Sequence, residues 1–152
     1  MKSQNQALTK EAVNKVVVTY SSGKIEEAIS EIKRLNADFP NVPFLFNLLG
    51  VCYKDLGQIN ASAKAFEAAV LIKPDYAEAY NNLGIVLIKL ARTEASAQAF
   101  KKAINSKPDY AEAHNNLGAA YKELNQLEEA VKSYERAIII RPEYSEAHNN
   151  LG

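Results

Sequence analysis

One block returns along this chain at a constant distance. Residues Pro74 to Ala79 read Pro-Asp-Tyr-Ala-Glu-Ala, and Asn81 to Gly84 read Asn-Asn-Leu-Gly. The same pattern stands at Pro108 to Ala113 with Asn115 to Gly118. It returns, slightly changed, at Pro142 to Ala147 with Asn149 to Gly152. Pro40 lies one period earlier, with Asn47 and Gly50 in register. Each step from Pro40 to Pro74 to Pro108 to Pro142 is 34 residues, the length of a helix–turn–helix unit. Stacked units of this kind build one elongated surface rather than a pocket, so the period bears on function as well as fold.

A chain of 152 residues has room for one ordinary domain, and the period divides it into stacked units that share a continuous core. An apolar content of 47% supplies that core. Acidic and basic residues balance at 18 each, so no overall field favours nucleic acid or an anionic membrane. Cys52 is the single cysteine, which excludes an intrachain disulfide and a cysteine-based metal site. Met1 to Lys10 is polar and lacks the apolar core of a signal peptide. No apolar run reaches membrane-spanning length. The expectations are a cytoplasmic protein without membrane or nucleic-acid partners.

Apolar spacing places helices near Leu8–Tyr20, Lys24–Asn36, Pro43–Leu56, Asn60–Ile72, Ala77–Leu90, Glu94–Asn105, Ala111–Leu124 and Leu127–Ile139, with a ninth starting at Ser145. Ser21-Ser22-Gly23 and Gly57 break the first two pairs, and the periodic prolines stop the second helix of each unit. Asp75 with Glu78, and Asp109 with Glu112, have the spacing of a capping box, and Glu143 with Glu146 is a weaker version. Asn41 is the expected cap of the helix beginning at Pro43. Lys73, Lys107 and Arg141 place cations at helix C-termini.

These residues resemble the tetratricopeptide repeat. With units numbered from Pro43, Ala77 and Ala111, the large residue of position 4 is Phe46, Tyr80 and His114. Leu-Gly at positions 7 and 8 is Leu49-Gly50, Leu83-Gly84 and Leu117-Gly118. Position 11 holds Tyr53, Leu87 and Tyr121, and the small residue of position 20 is Ser62, Ser96 and Ala130. Position 24 is Phe66, Phe100 and Tyr134, and position 27 is Ala69, Ala103 and Ala137. The resemblance implies an all-α, right-handed superhelical solenoid of antiparallel helix pairs. It divides the chain into a flexible N-terminus (1–8), a divergent first repeat (9–42), repeats at 43–76, 77–110 and 111–144, and a partial fifth at 145–152. The first repeat departs from the pattern, with Val16 where the others have Gly and Ile32 where they have an aromatic.

The resemblance also implies a function: a non-catalytic scaffold that binds a protein or extended peptide on the concave face lined by first helices. Asn47, Asn81, Asn115 and Asn149 occupy position 5, and Asn82, Asn116 and Asn150 occupy position 6. In arrays like that of O-linked N-acetylglucosamine transferase, such amides grip a peptide backbone. An amide carries donors and an acceptor, so it pairs with any peptide unit regardless of side chain. The alternative for these residues is local bonding between adjacent helices. Val51 and Ile85, at position 9, suggest an apolar strip beside the amides. The cations by which some family members clamp a carboxylate tail are missing, since Glu78 and Glu112 stand at position 2 and Val13 and Val17 line the first helix.

Other chemistry finds little support. His114 and His148 lie one period apart without a third ligand, and fit packing positions better than a metal site. Cys52 falls where Val86 and Ala120 stand, which marks a small core residue. There is no phosphate loop, zinc-binding helix motif or nucleophile elbow, so no cofactor is expected. Two other roles remain open: the recruiting arm of a larger glycosyltransferase- or sulfotransferase-type enzyme, and a self-assembly module. Weak homo-association is expected through the apolar edge at the C-terminal end, where Ile138, Ile140 and Leu151 are incompletely covered.

Overall fold

The computed structural model describes residues 8–152, and the N-terminal segment expected to be flexible lies almost wholly outside that range. The described residues form nine helices and no strand. They are α1 (Lys10–Ser21), α2 (Ile25–Asp38), α3 (Pro43–Asp55), α4 (Ile59–Ile72), α5 (Ala77–Lys89), α6 (Thr93–Ser106), α7 (Ala111–Glu123), α8 (Leu127–Ile140) and α9 (Ser145–Leu151). Each helix packs on its neighbours in sequence, and the pairs α3/α4, α5/α6 and α7/α8 pack most extensively. Successive odd helices also touch along the array, α3 with α5, α5 with α7 and α7 with α9. The result is a solenoid of antiparallel helix pairs.

Close packing within a pair follows from one residue. A Cβ placed on Gly50 would lie 2.5 Å from Phe66 Cε1, and one on Gly118 would lie 2.6 Å from Tyr134 Cε1. At Gly84 it would meet the Phe100 ring in the same way. The aromatic therefore lies flat against bare backbone, and Phe66 and Phe100 are fully buried. Ser62 and Ser96 add a polar tie by donating Oγ hydrogen bonds of 2.7 and 2.9 Å to the Gly50 and Gly84 carbonyls. In the first pair Val16 and Ile32 meet instead, both buried, and α1 packs less extensively on α2.

The turn inside each pair reverses the chain through one left-handed residue: Gly23 (φ 78°), Gly57 (φ 72°), Ala91 (φ 55°) and Asn125 (φ 59°). Glycine adopts this conformation freely and asparagine tolerates it, whereas alanine is strained there. Between pairs the chain turns at the periodic prolines. The cations that precede them lie over the tyrosines that follow, with Lys73 Nζ 5.1 Å from the Tyr76 ring centroid, Lys107 Nζ 5.0 Å from Tyr110 and Arg141 Cζ 4.9 Å from Tyr144.

The helix starts differ from the expected capping. Tyr76, Tyr110 and Tyr144 stand at the N-cap positions of α5, α7 and α9, and no side-chain cap bond forms there. Asp75 and Asp109 lie one residue too early, and each accepts the Ala77 or Ala111 N–H through its backbone carbonyl. The glutamates of the expected boxes are engaged by the preceding pair instead. Val42, not Asn41, precedes α3, and Pro43 opens that helix, where its missing N–H costs nothing. Thr9 does cap α1, accepting from the Ala12 N–H at 3.2 Å.

Candidate functional site

Odd helices carry the amides, and the geometry separates positions 5 and 6. Asn47, Asn81 and Asn115 are buried, each 3% exposed or less. Asn82, Asn116 and Asn150 are half-buried, and Asn149 is exposed. Residues one apart on a helix point about 100° from each other. The position-5 side chain therefore points into the joint with the next odd helix, and position 6 turns toward the outside of that joint.

Each buried amide spans two side chains of the following repeat. Asn47 donates from Nδ2 to Glu78 at 3.3 Å, Asn81 to Glu112 at 3.0 Å and Asn115 to Glu146 at 3.1 Å. Their Oδ1 atoms accept from Nδ2 of Asn82 (3.2 Å), Asn116 (3.0 Å) and Asn150 (3.0 Å). Burial of such an amide requires this kind of satisfaction, because an unpaired buried polar group is costly. The same bonds orient the position-6 amides. Each uses one N–H toward the previous repeat, and its carbonyl oxygen and second N–H enter no other hydrogen bond among the described residues.

Tyrosines stand at the entrance to this lattice. Burial pushes the Tyr110 hydroxyl up to about 12, helped by the carboxylates of Glu112 and Glu78 and opposed by the nearby Asn81 amide. Tyr76 and Tyr144 are shifted up for the same leading reason. All three phenols remain neutral, so their polar tips act only as hydrogen-bonding groups. Val51 and Ile85 are half-buried and pack into the cores of the following pairs.

The remaining sequence candidates take structural places. Cys52 is fully buried, and burial pushes its thiol up to about 11, so it is protonated and inert. His114 Nε2 donates to the Pro108 carbonyl at 3.0 Å, and His148 Nε2 to that of Pro142 at 2.7 Å. Each imidazole thus ties an odd helix to the turn before it. Among the described residues no cluster of three or more metal-binding side chains forms, and no helix is long and apolar enough to cross a membrane.

A tetratricopeptide repeat profile matches residues 111–144, and a TPR repeat profile matches residues 50–91 and 87–125. The chain belongs to the tetratricopeptide repeat family. A comparison with curated proteins gave no match. Among solved structures, a crystal structure of MamA is similar at 26% identity and a TM-score of 0.85, over 90% of this chain and 80% of that one. MamA 41-end from Desulfovibrio magneticus RS-1 is similar at 24% identity and a TM-score of 0.85, over 95% of this chain and 84% of that one. The first TPR of Spaghetti (RPAP3), bound to the HSP90 peptide SRMEEVD, is similar at 24% identity and a TM-score of 0.70, over 72% of this chain and 86% of that one. The last two likenesses concern the fold alone. A tetratricopeptide scaffold supports a role in protein interaction.

Proposed function

We infer that the chain is a non-catalytic scaffold that binds an extended peptide or protein segment along its row of odd helices. The observation that carries this reading is the repetition of Asn82, Asn116 and Asn150 in one geometry, each anchored by the preceding repeat. Each holds an acceptor and a donor in reserve, which is what a peptide unit requires. Anchoring lowers the ordering cost that a free side chain would add on binding. Contacts between successive odd helices, without comparable contacts between successive even ones, support a curved array with the odd row inside. Asn47, Asn81 and Asn115 position the ladder in this reading, while Asn149 is exposed one residue away from it.

Selection of extended peptides from a random display library against the chain provides ligands for the test. Removing the ladder with Asn82→Ala, Asn116→Ala and Asn150→Ala together is expected to weaken the selected peptides at least tenfold while helicity by circular dichroism is retained. Unchanged affinity in that folded variant would overturn the reading, as would a library that yields no binder.

A further inference from the structure

The opposite side of the array carries a second candidate surface. A trough of about 320 Å³ lies over α7 between α6 and α8, at the low end of the ~300–1,000 Å³ typical of ligand pockets. Its floor is apolar, formed by Ile104, Leu117, the His114 ring and Tyr121. Lys101 stands on the α6 wall, and Lys132 and Arg136 stand on the α8 wall, with Glu129 as the one carboxylate on the rim. None of these four charged groups is in an ion pair among the described residues. Lys101 Nζ instead lies 5.3 Å from the Tyr121 ring centroid. His114 contributes no charge near neutral pH, because burial and the neighbouring Arg136 hold its imidazole below the usual histidine range. Three cations thus face one carboxylate around an apolar floor, in a chain whose formal net charge is zero.

A second trough shows that the shape comes from the repeat, while the guanidinium on the wall is particular to α8. Phe46, Leu49, Tyr53, Lys64 and Ala68 line a trough of about 280 Å³ over α3. They stand two periods before His114, Leu117, Tyr121, Lys132 and Arg136. There the two wall positions equivalent to Glu129 and Arg136 are Ala61 and Ala68. Over α5, the equivalent Tyr80 and Leu87 are buried. Packing therefore makes the trough; the α3 copy carries Lys64 on its wall and Lys33 over Tyr53, and the α7 copy adds a guanidinium, Arg136, that the other lacks.

We propose that the trough over α7 is a docking site for an acidic peptide segment of another protein, with one bulky apolar side chain seated on the floor and flanking carboxylates on Lys101, Lys132 and Arg136. A guanidinium pairs carboxylates with two parallel N–H donors, and cations standing beside an apolar floor select an anion that carries an apolar group. The trough is open to solvent along its length, which suits a peptide side chain better than a long acyl chain that needs enclosure. This site is separate from the amide ladder on the odd helices, so a partner on one side leaves the other free.

The test uses a fluorescein-labelled hexapeptide of two aspartates, leucine, phenylalanine and two aspartates. Binding is followed by fluorescence polarisation and by amide chemical shifts of the isotope-labelled chain. Saturable binding is expected, with shift changes centred on 101–105 and 129–136. The double change Lys132→Glu and Arg136→Glu, at exposed positions, is expected to weaken binding at least tenfold with helicity unchanged. Asn82→Ala with Asn116→Ala is expected to leave it unchanged, and replacing leucine and phenylalanine in the probe by serine to abolish it. The proposal is overturned by absence of binding, by shift changes centred on the odd-helix amides, or by affinity that survives charge reversal. Myristate that displaces the peptide from this trough and binds it more tightly would also overturn it, in favour of a lipid site.

Discussion

Gly84→Ala sets two physical rules against each other. By helix propensity alone the change stabilises, because alanine in a helix interior is favoured over glycine by about 1 kcal/mol. The packing says the opposite. The added Cβ would fall on the Phe100 ring, whereas carbon atoms rest at roughly 3.5–4.0 Å, so ring and helix must separate by about 1 Å. Phe100 is fully buried and has no open space to retreat into. Overpacking of this kind costs about 1–3 kcal/mol, so after the propensity gain the net expectation is a loss of ~1–2 kcal/mol. Urea unfolding followed by circular dichroism reads this as a lower midpoint at unchanged slope. Shortening the ring by Phe100→Leu should remove most of the penalty, so the two changes couple favourably in a double-mutant cycle. A raised midpoint for Gly84→Ala, or the same cost in both backgrounds, would show that the glycine is not there to admit the aromatic.

Four other expectations follow from single positions. Ala91 is strained at φ 55°, so Ala91→Gly should raise stability by ~0.5–1 kcal/mol after the entropy lost to glycine; a lower thermal midpoint would contradict this. Asn36 Oδ1 is buried without a partner among the described residues, and its counterparts one, two and three periods on are Val70, Ile104 and Ile138; Asn36→Val should stabilise by ~1–3 kcal/mol, and urea unfolding that shows a loss would mean the amide has a role. His114 is held below the usual histidine range, so the folded chain binds its proton less readily than the unfolded one. Its contribution is complete above about pH 6.5 and is lost as pH falls through the lowered folded value; His114→Gln should flatten that acid limb of urea-derived stability, and an identical limb would refute the assignment. On α8, Leu127 and Val131 are 57% and 42% exposed, while Ala97 and Ala63, one and two periods before Val131, are 3% and 5% exposed; weak self-association through this face is expected in sedimentation equilibrium and should vanish with Val131→Lys, whereas a strict monomer at millimolar concentration would exclude it.

The period made the helices legible because prolines and turn glycines such as Gly23 and Gly57 act locally: they stop or start a helix whatever lies elsewhere. The same locality misled the reading of Glu78 and Glu112. Three residues after an aspartate, a glutamate satisfies a capping rule, and nothing nearby in the chain contradicts it. The competing partner is an amide 31 residues earlier, which only stacking brings into reach. Asn81 and Asn82 are likewise equal as sequence, since a pattern assigns residues to a helix face but not to the direction of the neighbouring helix. The stacking of successive odd helices decides which amide is covered, and a single helix pattern does not contain it. Asn36 shows the converse, because its burial could be inferred from Val70 in register while its missing partner could not.

In the proposed reading, the lattice of amides ties recognition to the shape of the solenoid. Each buried asparagine bonds to residues 31 and 35 positions away, that is, to both sides of one turn on the next odd helix. A helical turn rises about 5.4 Å, so a single side chain that reaches both partners fixes the sliding register of one repeat on the next. The amide presented outward, Asn116 for example, is one of those two partners. Any change of register or tilt between repeats therefore moves the presented amide and strains the buried one at the same time. The spacing of the ladder is held by polar bonds as well as by the cores, and this distinguishes the amides from groups simply placed on a surface. A ligand that needed a different spacing would have to break buried hydrogen bonds, at about 1–3 kcal/mol for each polar group left unsatisfied. Selection among extended peptides can thus rest on the distance between backbone units even where side chains are not read.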